Sequence, residues 1–256
     1  MAEVTLYHWE PNANSGKPML ALAEKGVPFQ SHYIDMLEFD QHKPEYLAVN
    51  PQGTIPAMTH DGKVLTESTA IMEYVNEAFP GPELMPADAQ DRWRVRWWMK
   101  FMDQWLGPSF SMIGWCTFVG PALAKRSVEE REALIARIPL PERRAAWRKA
   151  MFAEFSEAEL AESKRRVAHG VKMLEDELGK REYVASNRYS LADINIFNST
   201  YGLPVGNPEL CNPQATPNIW CWLRTVYKRP AVQQTWALGQ GRFTDRFNAL
   251  MEEFAG

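Results

Sequence analysis

Pro80, Gly81, Pro82 and Pro86 crowd into one short stretch, and no helix or strand runs through such a run. The stretch divides two kinds of pattern. Before it, β-rich segments alternate with a helical one; after it, every periodic segment is helical. Two domains are therefore expected, residues 1–80 and 91–256, with a linker over 81–90.

Residues 4–7 read as a strand, 14–25 as a helix stopped by Gly26 and Pro28, and 29–34 as a second, alternating strand. Strand, helix, strand with short links means a right-handed parallel unit. After a loop with a short helical stretch over 44–49, segments 55–58 and 63–66 flank Asp61-Gly62, a dipeptide suited to a type I′ hairpin. An amphipathic helix follows over 68–79. The order β-α-β then β-β-α describes a small mixed sheet with helices on both faces, the thioredoxin-like arrangement. The fold class is thus α+β in the first domain and all-α in the second. There, 91–106 and 156–178 are long periodic helices, with turns expected at Gly107-Pro108, Gly120-Pro121 and Gly179. The charges of 125–163, interrupted by IPLPE, read as a solvated surface. Ser190 and Asp193 form a capping box, which makes Asp193 structural.

Composition narrows the function. A net charge of −4 with mixed signs gives no basic face for nucleic acid. No apolar run approaches the ~18–20 residues a membrane span needs, and the N-terminus lacks the plan of a signal peptide. Three cysteines, Cys116, Cys211 and Cys221, form no CxxC and no zinc spacing, so neither a metal nor a structural disulfide is expected, and a cytoplasmic protein is the default. Trp93, Trp97, Trp98, Trp105 and Trp115 gather in one region with Met99, Met102 and Met112. They read either as core or as an adaptable pocket for a flat aromatic ligand.

Between the first strand and helix, Asn12, Asn14 and Ser15 crowd one turn. Two readings fit: turn and cap chemistry, or an anion site at a helix N-terminus. In a thioredoxin-like sheet, two further segments border the same cleft: the loop over 50–58 and the Thr66-Glu67-Ser68 link. Ser68 at a helix start offers donors to a carboxylate, and Glu67 offers a carboxylate to an ammonium. The backbone near Thr54 and Ile55 offers pairing to an extended peptide. Together they suit a ligand with an amino-acid head and a peptide body.

Three motifs resemble the glutathione transferase family in order and approximate spacing: NPxGxxPA from Asn50 to Ala57, TES at Thr66 to Ser68, and SLAD from Ser190 to Asp193. The resemblance implies the glutathione transferase fold, glutathione as co-substrate and a homodimer. It implies that Glu67 and Ser68 hold the γ-glutamyl head, that the Ile55 backbone pairs with the cysteinyl part, and that Pro56 is cis. Gln41 and His42 would both bind glutathione, and His42 would reach the glycyl carboxylate. Such an enzyme keeps a thiol of pKa ~8.5 as thiolate near neutral pH, which takes hydroxyl or amide donors. Asn14 and Ser15 are the expected donors, with Asn12 third; Tyr7 lies too early, and the turn has no cysteine.

ANSxKP from Ala13 to Pro18, Gln41-His42, HDGKVxTEST, IGW from Ile113 to Trp115, and IPxPE followed by WR are similar to bacterial β-etherases, which cleave lignin-type β-aryl ethers with glutathione. That likeness implies a small aromatic substrate, with Trp9, Met112, Trp115 and Phe118 as its wall. A general conjugating transferase and a catalytically silent ligand-binding member of the fold are the other expectations.

Overall fold

The computed structural model describes residues 3–240 with 249, 250 and 252; the rest of the expected helical domain's end lies outside the described residues. Strand β1 (Val4–His8) leads through the turn to α1 (Gly16–Lys25) and to β2 (Gln30–Tyr33). The short α2 (Pro44–Leu47) follows, then β3 (Ala57–His60), β4 (Lys63–Thr66) and α3 (Ser68–Ala78). The sheet order is β2-β1-β3-β4, with β1 parallel to β2 and the other pairs antiparallel. At the hairpin, Asp61 and Gly62 both take positive φ, as a type I′ turn requires.

Alternation along β1 sorts its side chains. Val4 and Leu6 meet Met19, Leu20 and Leu22 of α1 and Ile71, Met72 and Val75 of α3. Tyr7 points to the other face, where it packs with Ile34, Tyr46 and Ala57. This places the Tyr7 ring against His32 and Tyr46, away from the turn after β1.

The helical part comprises α4 (Ala89–Phe101), α5 (Gly107–Gly114), α6 (Gly120–Leu123), α7 (Val128–Ala136) and α8 (Pro141–Met151). Beyond them lie α9 (Glu157–Leu178), α10 (Leu191–Thr200), α11 (Leu203–Gly206), α12 (Pro217–Tyr227) and α13 (Pro230–Trp236). Helix α4 starts inside the expected linker because the Asp88 carboxylate accepts from the N–H groups of Gln90 and Asp91.

The expected turns at Gly107-Pro108 and Gly120-Pro121 do not form. Both pairs lie within one helical run, each just after a π-helical stretch, Met102–Leu106 and Trp115–Val119. In each, the glycine N–H donates five residues back, Gly107 to Met102 O and Gly120 to Trp115 O. The wider turn displaces the carbonyl that the following proline ring would strike. Glycine is needed there, since a Cβ on Gly120 would lie 2.6 Å from Ala150 O.

Trp98, Met99 and Met102 fill the core, whereas Trp93 and Trp97 lie on the outer face of α4, so the aromatic cluster is divided. One contiguous apolar cluster runs from β1, β3, α1 and α3 into α4, α9, α10 and α12. A second joins Phe39, in the loop after β2, to Val119, Leu134, Ile138 and Trp147.

Asp193 is fully buried and holds four donors. Oδ2 accepts from Ser190 N (2.9 Å) and Ser190 Oγ (3.0 Å), while Oδ1 accepts from Val184 N (2.9 Å) and Trp222 Nε1 (3.0 Å). Burial pushes its carboxyl up to about 6, and the four donors oppose that shift. An amide has one acceptor oxygen, so Asp193→Asn leaves buried donors unpaired. It should lose about 2–4 kcal/mol in chemical denaturation, and a loss within error of zero would remove this role.

Candidate active site

The turn after β1 is tied at several points. Trp9 N donates to Ser15 Oγ at 2.9 Å, Ala13 N to Glu10 O at 3.2 Å, and Asn198 Nδ2 of α10 to Pro11 O at 2.5 Å. Gly16 has no room for a side chain, because a Cβ would run into Pro11 O and Asn198 Nδ2. The result separates the three turn residues. Ser15 is buried and its oxygen holds the turn, although its hydroxyl hydrogen is still available to donate. Asn14 is exposed, and Asn12 is half-buried with Oδ1 sealed and unpartnered. The first helical N–H groups are taken, Gly16 N by Ala13 O and Lys17 N by Asn14 O. Those of Asn14 and Ser15 make no hydrogen bond among the described residues. Backbone donors for an anion therefore come from the turn, not from the helix proper.

The peptide bond Ile55-Pro56 is cis. Thr54 O already accepts from Tyr46 Oη (2.5 Å) and Asn50 Nδ2 (2.8 Å), which uses both its lone pairs. Ile55 lies beyond the last ladder pair, Tyr7 with Ala57, so the sheet leaves its backbone unused. Of the two, Ile55 is the one open to an incoming peptide. Glu67 sits at φ +68°, a left-handed backbone that a residue with a side chain adopts at a cost. Its carboxylate is exposed, and Ser68 opens α3 with no side-chain cap over the helix's free N–H groups.

Behind Ser68, Thr69 Oγ1 accepts from Asn195 Nδ2 at 3.0 Å, and the same amide donates to Asp103 Oδ1 at 3.2 Å. Asp103 also accepts from the buried Lys17 Nζ at 2.7 Å. The sequence reading missed this pair, although ANSxKP contained Lys17; nothing local announces a partner in another domain.

Gln41 and His42 are both buried, and Gln41 Oε1 and both imidazole nitrogens have no partner among the described residues. A Cβ on Gly53 (φ +62°) would lie 2.7 Å from His42 Cδ2, so the loop closes on the ring only with glycine there. Burial first, then the charges of Arg143 and Arg137, push the His42 imidazole down to about 4. It is neutral at pH 7. These buried, unpartnered polar atoms fit a peptide that supplies a carboxylate and amide groups.

The expected aromatic wall is dispersed. Trp9 is buried at the base of the turn, where its N–H holds Ser15. Trp115 packs on Trp147 with ring centroids 4.9 Å apart, and Trp147 packs on Phe39. Met112 Sδ accepts from Ser163 Oγ at 3.2 Å, and Phe118 is exposed. Trp115 is thus the member tied to the loop that carries His42.

A histidine whose folded pKa lies below its unfolded value near 6.5 stabilises the fold above 6.5, and that stability is lost as pH falls through about 4. The fold should therefore lose on the order of 1–3 kcal/mol between pH 7 and 4.5 through this residue. His42→Gln should show a correspondingly smaller loss in denaturation at the two pH values. Parallel losses would show that His42 does not titrate in this window.

Comparison with known proteins gives this geometry its family. Residues 13–78 match the glutathione S-transferase N-terminal domain model and 108–230 the C-terminal domain model. Protein LigF of Sphingobium sp. (strain NBRC 103272 / SYK-6) is 39% identical over 90% of this chain and 91% of its own length. The crystal structure of beta-etherase LigF superimposes with a TM-score of 0.88 over 91% of this chain and 98% of that one, at 38% identity. Glutathione S-transferase F10 of Arabidopsis thaliana is 28% identical over 81% of this chain and 86% of its own. Glutathione transferase F7 of Populus trichocarpa, 23% identical with a TM-score of 0.72 over 93% and 100% of the two chains, shares the fold. This chain belongs to the glutathione S-transferase family.

Proposed function

We propose that this glutathione transferase cleaves β-aryl ethers of lignin-derived aromatic ketones. The observation that carries the reading is the likeness to beta-etherase LigF in sequence and backbone across nearly the whole chain. The thiolate attacks the carbon that bears the aryloxy group, beside the ketone. A carbon–sulfur bond forms, the carbon–oxygen bond breaks, and the pair leaves on a phenolate that water protonates. A phenolate leaves without a strong general acid, so the protein's work is orientation and stabilisation of the thiolate. Glu67, Ser68 and the Ile55 backbone hold the peptide. Asn14, Ser15 and their free N–H groups face the sulfur, with Asn12 behind. Trp115, beside the loop of His42, borders the approach of the aromatic rings, and Trp9 supports the turn.

The exposed Trp93 and Trp97 of α4, continued by the half-buried Phe101 and Trp105, support a homodimer. Trp97 stacks on Phe101 at 5.2 Å and Phe101 on Trp105 at 5.0 Å, with Trp93 open beside them. A flat aromatic stripe of this kind is covered by a second copy. Three free cysteines fit a cytoplasmic, reducing compartment.

Incubation of a racemic β-aryloxy ketone with glutathione should release phenol and glutathione thioether in equal amounts, with one enantiomer consumed much faster. The corresponding alcohol, similar in shape but without the carbonyl, should barely react. Conjugation of a halogenated aromatic without phenol release from any ketone ether would establish general conjugation instead, and no glutathione turnover at all would establish a silent member.

The donor assignment has its own readout. The double variant Asn14→Ala/Ser15→Ala should move the pH–rate profile of kcat/KM to higher pH as the bound thiol becomes harder to ionise. Because Ser15 also secures Trp9, a fall in rate with an unmoved profile would mean lost turn geometry and not a lost donor.

A further inference from the structure

On α8, Arg143 and Trp147 are one helical turn apart and share a face. Trp147 is buried and packs at 4.8 Å on Phe39, whose ring lies 5.3 Å from that of His42. Arg137 Nη2 donates to Phe39 O at 2.9 Å. The loop bearing Gln41 and His42 is therefore docked on the helical domain, and α8 places Arg143 one turn before the contact.

The arginines of α8 differ in what they hold. Arg144 donates twice to Ile138 O, and Arg148 pairs with Glu132. Arg143 makes no ion pair or hydrogen bond among the described residues, and its Nε is sealed from solvent without a partner. The charges of Glu67 and Glu142 act on Arg143, and that of Arg143 acts on His42, so the guanidinium lies within electrostatic reach of the His42 loop and of Glu67. A desolvated guanidinium with an orphaned donor calls for an anion.

Charge balance says which anion. Glutathione brings an ammonium and two carboxylates. The γ-glutamyl end is met by Glu67 and by Ser68 with the start of α3. At the glycyl end, Gln41 and the neutral His42 carry no charge, while Arg137 and Lys43 already donate to Phe39 O and Asp40. We propose that Arg143, from the helical domain, is a glutathione-binding residue that pairs with the glycyl carboxylate and sets the enzyme's preference for the complete tripeptide. This rests on the proposed glutathione activity, with the peptide oriented as the family resemblance implies, its glycyl end at the loop of Gln41 and His42, and adds a contact from the second domain.

The test is calorimetric titration of the wild type, Arg143→Gln and Arg143→Lys with glutathione and with glutathione amide, whose glycyl carboxylate is a neutral carboxamide. The wild type should bind glutathione about ten- to hundredfold more tightly than the amide. Arg143→Gln should lose that preference by weakening for glutathione alone, and Arg143→Lys should recover part of it. The ratio of the two affinities is read within one folded variant, so a change in stability does not imitate the result; should Arg143→Gln not fold, the lysine variant's reduced ratio carries the test. A ratio unchanged in the variants, or equal weakening for both ligands, would overturn the assignment. Ether cleavage is not part of the readout: a wild type that binds glutathione but leaves ethers intact defeats the proposed substrate and not this contact.

Discussion

One ion pair, Lys17 with Asp103, joins the two domains directly behind the start of α3. Lys17 belongs to α1 in the first domain and is almost wholly withdrawn from water; Asp103 belongs to the first π-helical stretch of the second. Burial pulls the ammonium toward losing its proton, and Asp103, with the more distant Glu67, pulls it back. An ammonium buried this deeply is tolerable only with its carboxylate in contact, and removing Asp103 alone, which strands that charge, typically costs about 3–5 kcal/mol. Asn195 bridges from Asp103 to Thr69, so the pair also fixes the start of α3 beneath Ser68. The π-helical turn and the start of α3 are thereby two ends of one polar chain.

The two domains contribute different physics to the cleft. The first supplies backbone: the open Ile55 groups, the turn N–H groups and the start of α3. The second supplies rigidity and charge: Asn198 pins the turn, Asn195 backs α3, and α8 docks the loop of His42 through Trp147. Holding His42 neutral leaves the charge beside that ring to Arg137 and Arg143, with no imidazolium there near neutral pH.

What was legible in the sequence was local. The strand–helix–strand order, the Asp61-Gly62 hairpin and the Ser190–Asp193 box are decided by residues within a few positions of one another. Gly107-Pro108 and Gly120-Pro121 misled because the pair is a turn signal in any short window; only hydrogen bonds to residues five back, within a packed helix, show otherwise. The motif residues of the site were recognisable, yet their standing was not. The turn that exposes Asn14 and buries Ser15 is pinned at Pro11 by Asn198, far along the chain, and the roles of Val184 and Trp222 in holding Asp193 were invisible for the same reason. Arg143 sits between the quoted IPxPE and WR segments, and its meaning emerges only once Trp147 is seen to touch Phe39.

The continuity of the main apolar cluster has a kinetic consequence. Leu20 and Met72 on one side and Trp98 and Phe197 on the other belong to a single core, so the domains cannot swing apart without wetting it. A core shared in this way directs ligand exchange to the rim of the cleft. Entry of the tripeptide and departure of the larger thioether then fall to local movements at the edge of the cleft, and the slowest of them sets an upper bound on turnover.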